Sequence, residues 1–184
     1  LMVEDTVYYC TSFNRVFALA PDTGAEKWVF DPKVDMADEG LTNCRGVSSW
    51  VDAENPDAFC GHRILLGTLD GRIFALDGAT GKRCPDFGDN GEISLSLGLT
   101  KHEAFEYQIT SAPAIIGDLV VSGAMVIDSF RPGVPAGVVR AYHIRSGEFV
   151  WGWNPTHPDR EQMDEAGTYT PGTTNVWSTI SVDA

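Results

Sequence analysis

The sequence contains few basic residues. Lysine and arginine together number 13, against 26 aspartate and glutamate residues, so the formal net charge at neutral pH is −13. A chain with this excess of negative charge has no general electrostatic attraction to phosphate backbones or anionic lipid headgroups. The composition therefore argues against nucleic acid as a partner.

Long hydrophobic runs are also missing. No stretch of about 18 apolar residues occurs, which argues against a membrane span, and no basic-then-apolar signal peptide opens the chain. The 43% content of hydrophobic residues is enough for a sizeable core in one domain, or part of one, over residues 1–184. The chain begins in the strand-like pattern LMVEDTVYYC and ends in the alternating run WSTISVDA. We therefore expect a fragment of a longer protein, truncated at both ends.

The four cysteines lack the close paired spacing that a zinc site requires; they are Cys10, Cys44, Cys60 and Cys84. Cys60 and Cys84 bracket one repeat unit of the chain. They are compatible with a disulfide bond in an oxidising compartment, and equally with small buried hydrophobic side chains. The sequence leaves these two interpretations open.

Helical periodicity is nearly absent, and a repeated turn takes its place. Residues 18–30 (ALAPDTGAEKWVF), 75–84 (ALDGATGKRC) and 141–151 (AYHIRSGEFVW) each contain a turn glycine next to strand-like runs. The turn glycines lie 57 and 66 residues apart, at Gly24, Gly81 and Gly147. Each copy predicts strand, tight turn, strand, glycine turn and strand, with long loops between copies. Antiparallel units repeated in this way are typical of an all-β propeller.

A tryptophan follows the turn glycine by four residues in two copies, as Trp28 and Trp151. A large aromatic side chain at this offset can pack between neighbouring sheets. The middle copy has Pro85 at the same place, and a proline cannot fill that slot. We therefore expect the second unit to be held differently, through Cys84 or Phe87.

The pattern A-x-D-x-x-T-G-x-x-x-W resembles the tryptophan-docking motif of quinoprotein alcohol dehydrogenases, which fold as eight-bladed β-propellers around pyrroloquinoline quinone (PQQ). The segments between the repeats resemble the membrane-bound subfamily that includes glucose, quinate and polyol dehydrogenases. These segments are residues 43–50 (NCRGVSSW), 72–95, 107–130 and 137–155. The resemblance covers essentially the whole chain. It implies an all-β fold that comprises roughly three of the eight blades.

Arg45, in the CRGV segment, is the residue that the resemblance assigns to cofactor contact. PQQ is a tricarboxylate, and a planar guanidinium is suited to bidentate recognition of a carboxylate. The alternative is a surface arginine paired with one of the acidic residues. Thr110, in ITSAP, matches the cofactor-contacting threonine of the family, with Ser111 as a second hydroxyl beside it. Its alternative is an ordinary hydroxyl at the start of a strand.

Two further features are assigned to the cofactor by resemblance. Ser122, Gly123 and Ala124 match a segment of small residues where the backbone approaches PQQ closely. Trp177 matches the tryptophan on which the planar PQQ rings stack, because a large aromatic side chain supplies dispersion and apolar contact. The alternative for Trp177 is an ordinary core tryptophan.

Asp128 is the candidate metal ligand, because it matches an aspartate proposed to help hold a divalent cation in glucose dehydrogenase-like members. Calcium and magnesium prefer carboxylate and carbonyl oxygens. The asparagine that follows this aspartate in those members is Ser129 here, a poorer ligand. Met125 stands where methanol dehydrogenases have a glutamate, and Leu41 stands where membrane-bound relatives have a histidine near the quinone.

Other polar residues are weaker candidates. Asn175 and Thr174 precede Trp177 and could make polar contacts near the cofactor or the ion. Glu103 and Glu106 could reach a substrate at the mouth of the propeller. The four histidines show no motif that would pair them as metal ligands or as a catalytic base.

The resemblance implies a dehydrogenase that oxidises a sugar, polyol or cyclitol hydroxyl by hydride transfer to PQQ, with glucose as the leading candidate substrate. In the family, a divalent cation, calcium or magnesium, polarises a quinone carbonyl, and an aspartate removes the hydroxyl proton of the substrate. That aspartate and a cofactor-facing lysine are expected after residue 184. We therefore expect the fragment alone to be inactive.

The resemblance also implies a location and an electron acceptor. Electrons would pass to ubiquinone, and the protein would lie in the periplasm, held to the inner membrane by an anchor outside this chain. The alternative is a non-enzymatic β-propeller that serves as a protein-binding scaffold. Such a scaffold has no need of a cofactor arginine, a carboxylate and an aromatic floor, so Arg45, Asp128 and Trp177 favour the enzyme.

Overall fold

The structure is a computed structural model that describes residues 1–35, 42–128, 130–158 and 167–183. Antiparallel β-strands dominate these residues, and their one helical segment is a 3₁₀ turn at Ala104–Glu106. The strands form three four-stranded sheets and one additional strand pair in the described part of the chain. None of the described helical structure is long and apolar enough to cross a membrane. The prediction of an all-β fold is confirmed.

The first sheet is an antiparallel meander in which each strand pairs with the next along the chain. Its strands are β1 (Met2–Val3), β2 (Thr6–Cys10), β3 (Val16–Leu19) and β4 (Glu26–Phe30). Fully buried and more accessible residues alternate along β3, because one face of the sheet packs inward. Gly24, in the turn before β4, has a φ of +69°, a backbone conformation that favours glycine.

The second sheet is a meander of the same kind and lies between the other two. Its strands are β5 (Ser48–Val51), β6 (His62–Gly67), β7 (Arg72–Asp77) and β8 (Glu92–Ser94). Nearly every residue of β6 and β7 is buried, so both faces of this sheet are covered. This double coverage explains why the two strands have continuous apolar runs rather than an alternating pattern.

The third sheet contains a long insertion between its second and third strands. Its strands are β10 (Ala114–Ile116), β11 (Leu119–Ser122), β13 (Val139–His143) and β14 (Phe149–Trp153). The additional pair joins β9 (Tyr107–Gln108), which precedes the sheet, to β12 (Met125–Val126), which lies in the insertion. The insertion therefore folds back beside the segment that leads into β10.

Each sheet has four strands, whereas the repeat pattern predicted three. The additional strands are the first ones of the sheets, β1, β5 and β10, and they contain only two to four residues each. Runs this short are too brief to show a clear alternation of apolar and polar residues. Their pairing with the following strand, rather than their own sequence, makes them part of the sheet.

Trp28 joins the first sheet to the second. Its indole Nε1 donates a hydrogen bond of 2.9 Å to the carbonyl of Gly78. A Cβ atom added to Gly81 would lie only 2.5 Å from the indole ring, so the glycine provides the space that the ring occupies. The predicted docking of Trp28 is confirmed. Trp151, the equivalent residue of the third sheet, is 39% exposed in the described part of the chain, and its docking stays a prediction.

The second and third sheets are joined without a docking tryptophan, as the presence of Pro85 indicated. Phe87 is fully buried in the core between them. A Cβ atom on Gly147 would lie 2.6 Å from the amide nitrogen of Gly88, so the turn glycine here meets backbone rather than an indole. The buried guanidinium of Arg63 adds a hydrogen bond of 3.0 Å to the carbonyl of Ile144. The expected role of Phe87 is confirmed.

All four cysteines form disulfide bonds. Cys60 and Cys84 are bonded within the second sheet's unit, with their Cα atoms 5.7 Å apart. Of the two interpretations that the sequence left open for this pair, the disulfide is therefore the one that the structure has. Cys10 and Cys44 form a second bond, with a Cα separation of 5.9 Å, that the sequence did not predict. This second bond connects the end of β2 to the segment that leads into β5.

We expect Gly81→Ala to destabilise the chain by about 1–3 kcal/mol more than Gly24→Ala. Both glycines have a φ of +69°, so both substitutions carry the same backbone cost of about 1–2 kcal/mol. Only at position 81 would the new methyl group collide with Trp28, since no described atom lies within 4 Å of a Cβ at position 24. Urea unfolding measures the difference, and equal losses of stability would contradict the docking role of Gly81.

Candidate functional site

Two of the candidate residues, Arg45 and Thr110, lie in irregular segments that lead into the first strands of the second and third sheets. Arg45 precedes β5 by three residues, and Thr110 precedes β10 by four. The backbone amide of Arg45 donates a hydrogen bond of 3.1 Å to the carbonyl of Thr110, so the two segments run side by side. The packing of the second sheet against the third therefore brings together residues that are 65 positions apart.

A cavity of about 560 Å³ opens beside these segments, a size that suits a small organic molecule. Five candidates from the sequence line it, namely Arg45, Thr110, Asp128, Asn175 and Trp177. Its remaining lining residues are Asn43, Phe105, Gln108, Met125, Val126 and Ile127. Each of these lies within three residues of a candidate, Phe105 next to the weaker candidate Glu106, so closeness in sequence was the signal that could have identified them.

Arg45 and Trp177 contact each other directly in this cavity. The Arg45 Cζ atom lies 4.8 Å from the centroid of the indole ring, a cation–π arrangement. Trp177 is 49% exposed among the described residues, and its stacking on PQQ stays a prediction. A flat aromatic surface and a guanidinium are thus presented together.

The guanidinium of Arg45 has only weak partners within the protein. Its Nη1 atom lies 3.4 Å from both the Asn43 side-chain oxygen and the Thr110 carbonyl, which are long hydrogen bonds. No carboxylate of the described residues lies within 4.0 Å of it, in contrast to arginines such as Arg63 and Arg131. Its donors are therefore available to an anionic ligand.

Two glycines of the third sheet's unit, Gly123 and Gly137, allow the backbone next to Trp177 to pack closely against it. A Cβ atom on Gly123 would lie 2.0 Å from the Val176 carbonyl oxygen, and one on Gly137 would lie 2.4 Å from the Cβ of Asn175. The Ser111 hydroxyl donates a hydrogen bond of 2.7 Å to the Trp177 carbonyl. These contacts determine the position of the indole at the cavity.

The structure places the predicted small-residue segment below this backbone rather than among the cavity's lining residues. The Ser122 hydroxyl donates a hydrogen bond of 2.8 Å to the Gly123 carbonyl, and Ala124 is buried in the core between the second and third sheets. The contact of Ser122, Gly123 and Ala124 with PQQ stays a prediction. The Thr110 hydroxyl lies 3.4 Å from the Trp177 carbonyl, and its contact with PQQ also stays a prediction.

Glu106, a weaker candidate for substrate contact, does not line the cavity. Its carboxylate is fully buried and accepts hydrogen bonds of 2.6 and 2.8 Å from Arg131. These hydrogen bonds hold the pKa of Glu106 below its ordinary value, although burial opposes the shift. The Ile127 amide, directly before Asp128, donates a hydrogen bond of 3.2 Å to the Glu106 carbonyl, which anchors the chain beside the candidate metal ligand. Glu103 is exposed and does not line the cavity.

Asn175 presents an acceptor atom that no described group satisfies. Its Nδ2 atom donates to the carbonyls of Thr173 at 2.7 Å and Val126 at 3.5 Å, which determines the orientation of the amide. Its Oδ1 atom is buried and has no hydrogen-bond partner among the described residues. This oxygen can accept a hydrogen bond from a ligand or coordinate a hard cation.

A metal site at Asp128 would need further ligands besides the acidic, histidine and cysteine side chains of the described segments. Those segments contain no group of three or more such residues that could hold a metal ion. Asp128 and the Asn175 oxygen both line the cavity and are chemically suitable ligands. Leu41 and Ser129, where the sequence departs from the glucose dehydrogenase pattern, lie outside the described residues.

A second cavity of about 550 Å³ contains none of the candidate residues from the sequence. It is lined by polar groups that include His62 and Asp77. The His62 Nε2 atom lies 2.8 Å from the Ser49 hydroxyl, and burial lowers the pKa of His62. Asp77 accepts hydrogen bonds from the Thr80 hydroxyl and amide, which gives it a structural role in the glycine turn.

Comparison with known proteins places the whole chain in one family. The family model described as "PQQ: Glucose/ethanol/alcohol dehydrogenase, beta-propeller domain" matches residues 1–184. The quinate/shikimate dehydrogenase (quinone) of Acinetobacter baylyi is 32% identical over 100% of this chain and 25% of its own length. The glycerol dehydrogenase large subunit of Gluconobacter oxydans is 33% identical over the same shares. The quinoprotein glucose dehydrogenase of Escherichia coli is 32% identical over 100% of this chain and 24% of its own.

Solved structures agree on the fold. The quinohemoprotein alcohol dehydrogenase of Comamonas testosteroni superposes with a TM-score of 0.64 at 24% identity, covering 89% of this chain and 22% of that protein. The propeller architecture is therefore confirmed, whereas the number of blades in the whole protein stays a prediction. The chain spans about a quarter of the length of the curated relatives it matches. Because the family match extends from residue 1 to residue 184, the chain belongs to the β-propeller domain family of the PQQ-dependent glucose, ethanol and alcohol dehydrogenases.

Proposed function

We propose that this chain is part of a PQQ-dependent dehydrogenase that oxidises a CH–OH group of a small sugar, polyol or cyclitol. One observation carries the proposal: Arg45, Asp128 and Trp177, which are far apart in sequence, line a single cavity in a chain that belongs to this family. Exposed tryptophan and arginine also occur at protein-binding surfaces, so the family match over residues 1–184 is what favours the enzyme over a protein-binding scaffold.

The described residues fit PQQ. When bound, PQQ supplies the acceptor for the hydride that leaves the substrate carbon. The exposed indole of Trp177 offers the flat apolar surface on which a planar ring system stacks. The Arg45 Cζ atom lies 4.8 Å from the centroid of that ring, and its Nη1 atom makes only long hydrogen bonds, so Arg45 can bind a carboxylate of the same ligand with charge-assisted hydrogen bonds. Thr110, which also lines the cavity, offers a hydroxyl nearby.

We further propose that Asp128 helps to hold a divalent cation, calcium or magnesium. The Asn175 oxygen, buried and without a partner among the described residues, is suited to the same cation or to a cofactor group. The hydrogen bond from the Ile127 amide to the Glu106 carbonyl holds the residue before Asp128 in place. The remaining oxygen ligands would come from the cofactor or from residues outside the described segments.

The names of the relatives support the substrate class and the acceptor. Those relatives are described as acting on quinate or shikimate, glycerol and glucose, which all carry several hydroxyl groups. We propose glucose as the first substrate to test. The name of the Acinetobacter baylyi relative specifies a quinone, which supports ubiquinone as the electron acceptor of the full-length protein.

We propose a periplasmic location, with the full-length protein anchored in the inner membrane. Two disulfide bonds, Cys10–Cys44 and Cys60–Cys84, support an oxidising compartment, because such bonds are rare in the reducing cytosol. The anchor would lie outside this chain.

We expect Arg45→Ala and Trp177→Ala each to weaken PQQ binding by about 10- to 100-fold. The first removes a charge-assisted contact and the second removes the stacking surface. Fluorescence titration of the full-length apoprotein with PQQ measures the affinity. Addition of PQQ and calcium should restore dye-linked oxidation of glucose or a polyol in the wild type. Arg15→Ala, at an exposed arginine of the first sheet, should leave the affinity unchanged. Wild-type affinity in both cavity variants would refute the site.

We expect Glu106→Gln to destabilise the protein by about 1–2 kcal/mol at pH 7, a modest loss because the Arg131 side chain is 37% exposed. The folded-state pKa of Glu106 lies below its ordinary value of 4.5, so its stabilisation is present above that value. It is lost as the pH falls through the folded-state pKa. Urea unfolding of both proteins should therefore show a difference that is constant well above pH 4.5 and shrinks as the pH falls below that value. A difference independent of pH would contradict the ion pair's contribution.

A further inference from the structure

The Cys10–Cys44 disulfide attaches the first sheet to the residue directly before Arg45. It joins positions that are 34 residues apart, and its Cα atoms are separated by 5.9 Å. Cys10 ends β2, a paired strand of the first sheet. Cys44 lies between Asn43 and Arg45, which both line the candidate cofactor cavity. The bond therefore anchors the cavity wall to a sheet that contributes none of the lining residues.

Few other contacts hold Arg45 in place. Its segment has no regular secondary structure, and its backbone amide makes one hydrogen bond, of 3.1 Å, to Thr110. Its guanidinium makes two long hydrogen bonds of 3.4 Å and rests on the Trp177 ring. The covalent bond at Cys44 is thus the strongest restraint on Arg45 among the described residues. Bidentate recognition of a carboxylate requires accurate placement of the guanidinium, so such a restraint affects affinity.

The second disulfide offers a contrast. Cys60 and Cys84 are buried in the core between the second and third sheets, and neither is adjacent to a lining residue of the cavity. Cys10 and Cys44 are only partly buried, whereas Cys60 is 5% exposed and Cys84 is fully buried. A reductant in solution will therefore reach the Cys10–Cys44 bond first.

We propose that the Cys10–Cys44 disulfide is a positioning element for Arg45 and that it raises the affinity of the site for its carboxylate-bearing cofactor. The bond holds the backbone beside Arg45 in the binding conformation, so the cost of ordering this segment is not incurred when the cofactor binds. The inference rests on the proposed function, in which Arg45 binds a carboxylate of PQQ. It assigns the two disulfides different roles, one in binding and one in stability.

The test compares two double variants of the full-length protein. Cys10→Ser with Cys44→Ser should raise the dissociation constant for PQQ on the order of tenfold. At saturating PQQ and calcium, kcat and the KM for the alcohol substrate should stay at their wild-type values. Cys60→Ser with Cys84→Ser is the matched control, and it should lower Tm while leaving the dissociation constant for PQQ unchanged. An unchanged dissociation constant in the first variant would overturn the inference.

A double-mutant cycle with Arg45→Ala shows whether the effect passes through Arg45. In the Arg45→Ala background, removal of Cys10 and Cys44 should cause no further loss of affinity. The same tenfold loss in both backgrounds would overturn the inference. Wild-type PQQ affinity in Arg45→Ala alone would instead refute the role that the proposed function gives to Arg45. A loss in Arg45→Ala without any loss on removal of the disulfide refutes only the inference.

Reduction of the folded wild type provides a second measurement if the serine variants do not fold. Dithiothreitol converts the bond to two thiols and is itself oxidised to its cyclic disulfide, and iodoacetamide then blocks the thiols. Mass spectrometry identifies molecules in which Cys10 and Cys44 alone are alkylated. These molecules should bind PQQ about tenfold more weakly than untreated protein. Equal affinity of the two forms would overturn the inference.

Discussion

The close approach of neighbouring sheets is the constraint on which the rest of the structure depends. The indole of Trp28 occupies the space that a side chain at Gly81 would take, and the backbone of Gly88 meets Gly147 in the same way. With both of its faces covered, the second sheet buries nearly all of β6 and β7. Exposure of this apolar surface to water would cost about 25 cal/mol per Å² in free energy. This cost opposes separation of the sheets.

This packing also creates the candidate site. The irregular segments before β5 and β10 converge because the strands that follow them belong to packed sheets. Arg45 and Thr110 thereby become hydrogen-bonded neighbours. The backbone next to Trp177 packs closely against Gly123 and Gly137. Among the described residues, the cavity combines a guanidinium without a carboxylate partner, an exposed indole and a carboxylate, which suits a planar anion with an associated cation.

Several features were predictable because they depend on short stretches of sequence. A glycine with positive φ is needed wherever the chain turns as it does at Gly24, Gly81 and Gly147, so the turns recur as a visible pattern. The replacement of tryptophan by Pro85 correctly indicated a different junction, and Phe87 provides it. Arg45, Thr110, Asp128 and Trp177 were selected by resemblance, and the structure places all four at one cavity.

Other features depend on partners that are distant in sequence. The role of Glu106 is determined by Arg131, which neutralises it in the interior, and nothing near Glu106 in the sequence indicates that pairing. The Cys10–Cys44 bond likewise depends on how the segment before β5 returns to β2. The first strands β1, β5 and β10 are too short to be visible without the strands that pair with them.

The sequence by itself determined the all-β class, the repeated glycine turns and the chemical types of the candidate site residues, because backbone conformation and side-chain chemistry are local properties. Only the tertiary structure decided which cysteines are bonded, that Glu106 is an internal ion-pair partner, and that Gly123 supports the backbone beneath Trp177. These outcomes depend on which surfaces are buried against each other, and burial is a property of the packed sheets rather than of any short segment.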